Sequence, residues 1–176
     1  IMENWLTEKE SHNQIAIHYQ TGEKIPQEII QKLIDASNYN IGYQCCRQLS
    51  FGMLDMAWHT LTQPFDGDVV SFEKNAWAKA SILPEVSGTL MSSSFGHIFS
   101  GGYAAGYYGY KWAEVLDADA FSAFKEAGIF NSDIAESFRK NILSKGGTED
   151  PMELYIRFRG QAPGIDALLK RNGIKN

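Results

Sequence analysis

The stretch "KWAEVLDADAFSAFKEAG", Lys111–Gly128, decides the fold. It is dense in Ala, Leu, Glu and Lys, all good helix formers. Trp112, Leu116, Ala120 and Phe124 recur at four-residue steps, with Ala113, Val115 and Phe121 beside them. One face of a helix is therefore apolar. Gly128 suits the left-handed position just past its end. The flanking segments repeat the theme. Pro26 sits at a first-turn position before "QEIIQKLI", where its missing N–H costs nothing. Asn38 to about Leu61 reads as a longer helix, with Ile41, Cys45, Leu49, Met53, Met56 and Thr60 as its apolar stripe. Pro64 and Asp66-Gly67-Asp68 stop it. From Val69 to Ser94 the pattern is mixed, helical around Trp77 and Ala80 and loop-like at Pro84 and Gly88–Ser94. Ser132 is expected to cap a helix through Leu143. Asp150-Pro151-Met152-Glu153 starts a helix to about Phe158, and a last helix spans about Gly164 to Arg171. No internal repeat and no alternating strand pattern interrupts this series, so the predicted fold class is all-α, read as one partial domain over residues 1–176.

Composition fits a globular chain. Of 176 residues, 44% are hydrophobic and 21% charged, enough for a real core. The net charge of −5 argues against nucleic acid as a partner, since such proteins present a basic face. No run approaches the about 20 apolar residues of a membrane span, and no secretory signal is visible in the sequence. "TEKES" and "LLKRN" read as solvated charged faces. Cys45 and Cys46 are adjacent and make no disulfide framework. They are expected to be free thiols, which points to a reducing, cytoplasmic setting.

Just before the deciding helix lies "FGHIFSGGYAAGYYGY", Phe95–Tyr110, with five glycines, four tyrosines and a histidine. Three plain readings exist. Gly102 and Gly106, four apart, match a small-residue helix contact. The tract could be low-complexity, which the helical sequence after it opposes. A phosphate loop would need G-x-G-x-x-G or a Walker pattern, and neither is present. The chemical reading is different. Ser100-Gly101-Gly102 can act as a hinge. If the following residues are helical, Tyr103, Tyr107 and Tyr110 share a face, and His97 stands just before the hinge. Phenol O–H and imidazole N–H donors delivered to one pocket can hold an oxyanion. A Tyr is more often a packing residue, and Tyr107 or Tyr108 fits that role as well.

Phe95–Phe121, together with "FRKNILSKGGTEDPMELYIRFRGQAPGIDALLKRNGI" (Phe138–Ile174), resembles the C-terminal part of the thimet oligopeptidase family of zinc metallopeptidases. The likeness is greatest to the bacterial dipeptidyl carboxypeptidase branch. "MENW" (residues 2–5), "YQTGEKIP" (19–26) and "RQLSFGMLDMAWHT" (47–60) resemble the same family, so the likeness covers essentially the whole chain. It implies a helical, clam-like enzyme with a channel between lobes, in which an H-E-x-x-H helix and a further Glu hold zinc. It also implies that His97, Tyr103 and Tyr110 contact substrate and stabilise the transition state. Gly101, Gly102 and Tyr107, beside them in the same segment, are expected to contact substrate as well.

H-E-x-x-H does not occur among His12, His18, His59 and His97. His59 lies on an apolar helix and reads as a packing or surface residue. In the family the zinc ligands lie just upstream of "MENW", so Ile1 is expected to mark a cut through the ligand-bearing helix. Glu3 is at most a neighbour of that site. Zinc is therefore expected in the complete enzyme and not in this chain, which has no metal ligands of its own. Expected partners are a short peptide and the missing upstream part of the same protein. Apolar surface left bare is open to self-association. The sequence thus implies a fragment of a zinc peptidase that releases C-terminal dipeptides, inactive alone. A related enzyme cutting internally, a stand-alone helical peptide-binding remnant, and a pure scaffold are the alternatives.

Overall fold

Helix propensity and end chemistry place most of the elements. A computed structural model describes residues 1–174, so the last two positions of the expected 1–176 domain lie outside the described residues. A 3₁₀ segment at Met2–Thr7 leads into α1 (Lys9–Ile15), α2 (Gln27–Ser37), α3 (Ile41–His59) and α4 (Val69–Trp77). Then come α5 (Gly96–Phe99), α6 (Gly109–Ala127), α7 (Ser132–Phe138), α8 (Pro151–Arg159) and α9 (Asp166–Arg171). Among the described residues there is no strand. An isolated antiparallel bridge joins Ile17 and Lys24. The all-α class expected from the sequence is the class observed.

Local chemistry explains the helix ends. The Asp150 carboxylate accepts the N–H groups of Met152 and Glu153, and Pro151 follows at the first helical position. The Asp68 side chain accepts the Ser71 N–H at the start of α4. Gly128 closes α6 with φ +102°, a conformation closed to most side chains. Three expectations shift. Pro26 is the residue before α2, not inside its first turn, and its carbonyl accepts from Ile29 and Ile30. Asn131, not Ser132, caps α7, because its Oδ1 reaches the N–H groups of both Asp133 and Ile134. The helix beyond α7 changes character. Residues Arg139–Leu143 form a π segment, with the Ser144 N–H bonding five residues back to Arg139.

The chain divides into two compact units. One comprises Ile1–Tyr39 with the chain from Glu114 onward. Its core is Ala120, Phe121, Ala123 and Phe124 of α6 against Tyr155 and Phe158 of α8. Trp5 sets its ring edge-on to Phe121 and Phe124, at 4.7 and 4.9 Å. Its indole N–H donates to the Ile129 carbonyl at 2.9 Å.

The other unit is Asn40–Ala113. Its core joins Phe51 and Leu54 of α3 to Phe95, Ile98 and Tyr107. The buried face of α3 is thus Ser50, Phe51, Leu54 and Asp55, not the expected stripe. Leu49, Met53 and Met56 are 43%, 36% and 40% exposed. α3 is apolar on two sides, so periodicity alone gave two candidate faces.

Candidate functional site

The site starts from a buried charge. α3 carries Asp55 into the core of the 40–113 unit, where it is 0% exposed. A carboxylate survives there only if its lone pairs are filled. Oδ1 accepts the Ala105 N–H at 2.9 Å, and Oδ2 accepts the Tyr107 N–H at 2.8 Å. His59, one turn on, places Nδ1 2.8 Å from Oδ1 and 2.9 Å from the Asp55 carbonyl oxygen. Both are acceptors, so Nδ1 carries the hydrogen.

These bonds set the path of the glycine and tyrosine segment. The sequence allows a helix running on from Gly102. The structure has turns as far as Tyr108, and α6 begins at Gly109. The amides of Ala105 and Tyr107 point to Asp55 instead of to carbonyls one turn back, and Ala105 takes φ +53°. Two glycines make the preceding return possible. Gly102 has φ +81°. A Cβ on Gly101 would stand 2.9 Å from the His97 carbonyl oxygen and 3.0 Å from its Cα. The Tyr103 N–H then donates back to the His97 carbonyl at 3.1 Å.

Turns, not a common helical face, therefore bring the aromatic groups together. Tyr103 and Tyr110 stack with centroids 5.1 Å apart and planes at 22°. Tyr107 meets Tyr110 edge-on at 5.0 Å. His97 lies 6.0 Å from both Tyr103 and Tyr107. His97, Tyr103 and Tyr110 are exposed, whereas Tyr107 is buried beneath them and donates its hydroxyl to Gln48 Oε1 at 3.3 Å. A hydrogen bond with the Tyr103 side chain pushes the Tyr110 phenol above its ordinary pKa. Partial desolvation and the neighbouring phenols push the same way. The Tyr110 phenol thus holds its proton more tightly than an ordinary phenol does.

A second buried carboxylate steadies the approach to this segment. Glu73 of α4 accepts the Met91 N–H at 2.9 Å, and the Ser92 N–H and hydroxyl at 2.6 Å each. Trp58 donates its indole N–H to the same hydroxyl at 3.0 Å. Neither Asp55 nor Glu73 stood out as functional in the sequence. The available signal was a lone acid inside an apolar helical run, "GMLDMAW" and "VVSFEKNAW". Such an acid is buried only when paired.

A zinc ion does not fit the residues present. Among the described residues no three His, Cys, Asp or Glu side chains are grouped to hold a metal. Asp55 with His59 falls short, because amide and imidazole donors already fill the carboxylate. His12 turns Nε2 to the Leu6 carbonyl, and His18 Nδ1 accepts from the Thr21 N–H. A shallow cavity of about 210 Å³ beside α3, lined by Arg47, Phe51, Trp77 and Leu83, includes none of His97, Tyr103 and Tyr110. Cys45 and Cys46 are free. No helix among the described residues is long and apolar enough to cross a membrane.

Comparison with known proteins identifies the class. The family model described as Peptidase family M3 matches residues 1–174, and this chain belongs to that family. It is 47% identical over 176 residues to Oligopeptidase A of Escherichia coli (strain K12), spanning 99% of this chain and 26% of the relative. It is 40% identical over 178 residues to "Probable cytosolic oligopeptidase A" of Arabidopsis thaliana, spanning 98% of this chain and 25% of the relative. Against Dipeptidyl carboxypeptidase of Escherichia coli (strain K12) the identity is 40% over 176 residues, spanning 99% and 26%. The chain spans about a quarter of the length of these relatives.

Proposed function

We propose that this chain supplies the substrate side of a metallopeptidase that hydrolyses short peptides. The observation that supports the reading is the convergence of His97, Tyr103 and Tyr110 on one exposed patch, with Tyr107 beneath it. In a peptide hydrolysis the carbonyl oxygen gains negative charge as the tetrahedral intermediate forms. O–H donors fixed at that position lower the barrier. Tyr103 and Tyr110 serve as those donors, and the His97 ring holds the peptide beside them. Gly101 and Gly102 carry no side chain to block its backbone. The residues act by binding, orienting and donating hydrogen bonds. In the complete enzyme, activation of the attacking water is the chemistry a zinc ion would supply. Its ligands would come from polypeptide beyond these 176 residues, consistent with relatives about four times as long. Such polypeptide would also cover the exposed Leu49, Met53 and Met56 stripe. Where it is missing, that stripe leaves the chain open to self-association.

On cleavage position, we favour cleavage of oligopeptides in general. The relatives named for that activity are 47% and 45% identical, against 40% and 37% for those named dipeptidyl carboxypeptidase. Release of C-terminal dipeptides is the narrower version of the same reading. The free thiols fit a reducing compartment, and we extend the proposal to the cytoplasm.

The test is Tyr110→Phe in a catalytically competent protein carrying these residues. Turnover should fall by roughly 10²–10³-fold, the usual effect of losing one such donor, with an unchanged far-ultraviolet spectrum. Turnover at the parental rate would refute the role. The 176-residue chain alone, assayed beside it, should release no product. Hydrolysis blocked by a chelator would contradict that.

A further inference from the structure

We propose that Asp55 is a positioning residue for the Tyr103–Tyr110 pair. It is an internal anion around which the 105–107 backbone wraps, and it fixes the distance between the two phenols. The inference rests on the function proposed above and adds a residue that touches no substrate.

Three observations carry it. First, Asp55 is fully buried, and its partners among the described residues are not Lys or Arg. Its charge is met by two main-chain amides and one imidazole N–H. Second, those amides belong to residues two apart, Ala105 and Tyr107, and Ala105 stands at φ +53°. Alternation between left- and right-handed conformations makes successive N–H groups curve into a concave nest, a known anion-binding shape. An alanine resists that conformation, because its Cβ crowds the following carbonyl oxygen. The carboxylate is what holds it there. Third, the nest lies between the two phenols. Tyr103 enters it and Tyr110 leaves it, while Tyr107 is part of it. The separation of 5.1 Å and the near-parallel stack depend on the number of residues taken up by this turn and on its curvature. A regular helix would instead set Tyr103 and Tyr110 two turns apart, about 10 Å along the axis.

Asp55 therefore does for the phenols what an anionic ligand does for a phosphate loop, except that the anion belongs to the protein. His59 gives Oδ1 its second donor and holds the carboxylate square to the nest. With Asp55→Asn the shape is nearly kept, but an amide NH₂ now faces a main-chain N–H. One end of the nest loses its acceptor.

The experiment is a double-mutant cycle in the active peptidase, with Asp55→Asn, Tyr110→Phe and both together. Asp55→Asn alone should lower kcat by about 10²-fold, as misplacement of a catalytic group by about 1 Å does. In the Tyr110→Phe background it should lower kcat by at least threefold less than in the parent, because one of the two donors it positions is already gone. Assays run well below each variant's melting temperature keep stability apart from rate. A second readout needs no activity. With ring-labelled tyrosine, the Tyr110 signal is assigned by its loss in Tyr110→Phe. Its titration should fall back toward the ordinary phenol range in Asp55→Asn, because the bond to Tyr103 is loosened. Should Asp55→Asn fail to fold, His59→Leu removes one of the three donors, leaves the carboxylate in place, and should move both readouts in the same direction by a smaller amount. Effects on kcat that multiply across the cycle, or an unchanged Tyr110 titration, would overturn the proposal. A Tyr110→Phe variant with parental turnover would instead strike the functional reading itself.

Discussion

Two acids, Asp55 and Glu73, are enclosed by protein and answered by main-chain amides. Surface charges such as the Glu28–Lys32 pair, 76% and 65% exposed, are answered mostly by water. The energetic consequences differ by the cost of leaving a buried group unpaired. Glu73→Gln puts an NH₂ where the Met91 N–H, the Ser92 N–H or the Ser92 hydroxyl now finds an oxygen, and should destabilise by about 1–3 kcal/mol. Lys32→Ala should change stability by less than about 0.5 kcal/mol. Urea unfolding of the two variants side by side checks the contrast, and equal effects would contradict it. The proposed donor pair could be singled out from sequence, because Tyr and His spacing around two glycines is visible in a string. The acids that shape their surroundings could not. A carboxylate's partners here are amides, and every residue except Pro carries one.

At the scale of the element, end chemistry decides where helices begin, and neighbouring residues compete for the role. Asn131-Ser132 at the start of α7 shows this. Both side chains are good caps. Asn131 has φ −65° and ψ 120°, outside the helical region, so its side chain can turn back onto the first N–H groups. Ser132 is already helical. Asn131→Ala should therefore cost about 1 kcal/mol, whereas Ser132→Ala should be close to neutral. Thermal melts of the two variants distinguish them, and the reverse order would place the cap at Ser132. The same scale shows what periodicity does and does not carry. In α6 the expected stripe and the buried face share Ala120, Phe121 and Phe124. In α3 they diverge, because Phe51, Leu54 and Trp58 compete with Leu49, Met53 and Met56. The choice is made by what packs on the helix, here Phe95, Ile98 and Tyr107.

Across the whole molecule, ionisation ties the stability of the larger unit to pH. Burial, with a hydrogen bond and negative charge from Asp119, pushes the Tyr155 phenol well above its ordinary value of 10.0. A phenol raised on folding contributes stability that is fully present below about pH 10, its unfolded value. That contribution is lost as pH climbs toward the folded value. Asp117 acts at the other end. Burial pulls its pKa upward, but hydrogen bonds led by that from Arg171 outweigh it and hold the carboxyl below its ordinary 3.8. Its contribution is lost as pH falls through and below that value. Urea midpoints should thus be flat from about pH 5 to 9 in respect of these two groups and fall on either side. Tyr155→Phe should remove part of the alkaline fall and none of the acid one. A variant that keeps the whole alkaline slope would place its origin elsewhere.

The sequence by itself determined the all-α class, the helix series with most of its ends and membership in the peptidase family, and it singled out His97, Tyr103 and Tyr110 as candidates. Each of these is written in local order: propensity, caps, glycine placement and motif. Only the tertiary structure decided that the three side chains gather through an anion-centred turn instead of one helical face, and that α3 buries its acidic side. The reason is physical. A residue 50 positions away, Asp55, supplies the charge that bends the Ala105–Tyr107 backbone, and no local window of sequence contains both.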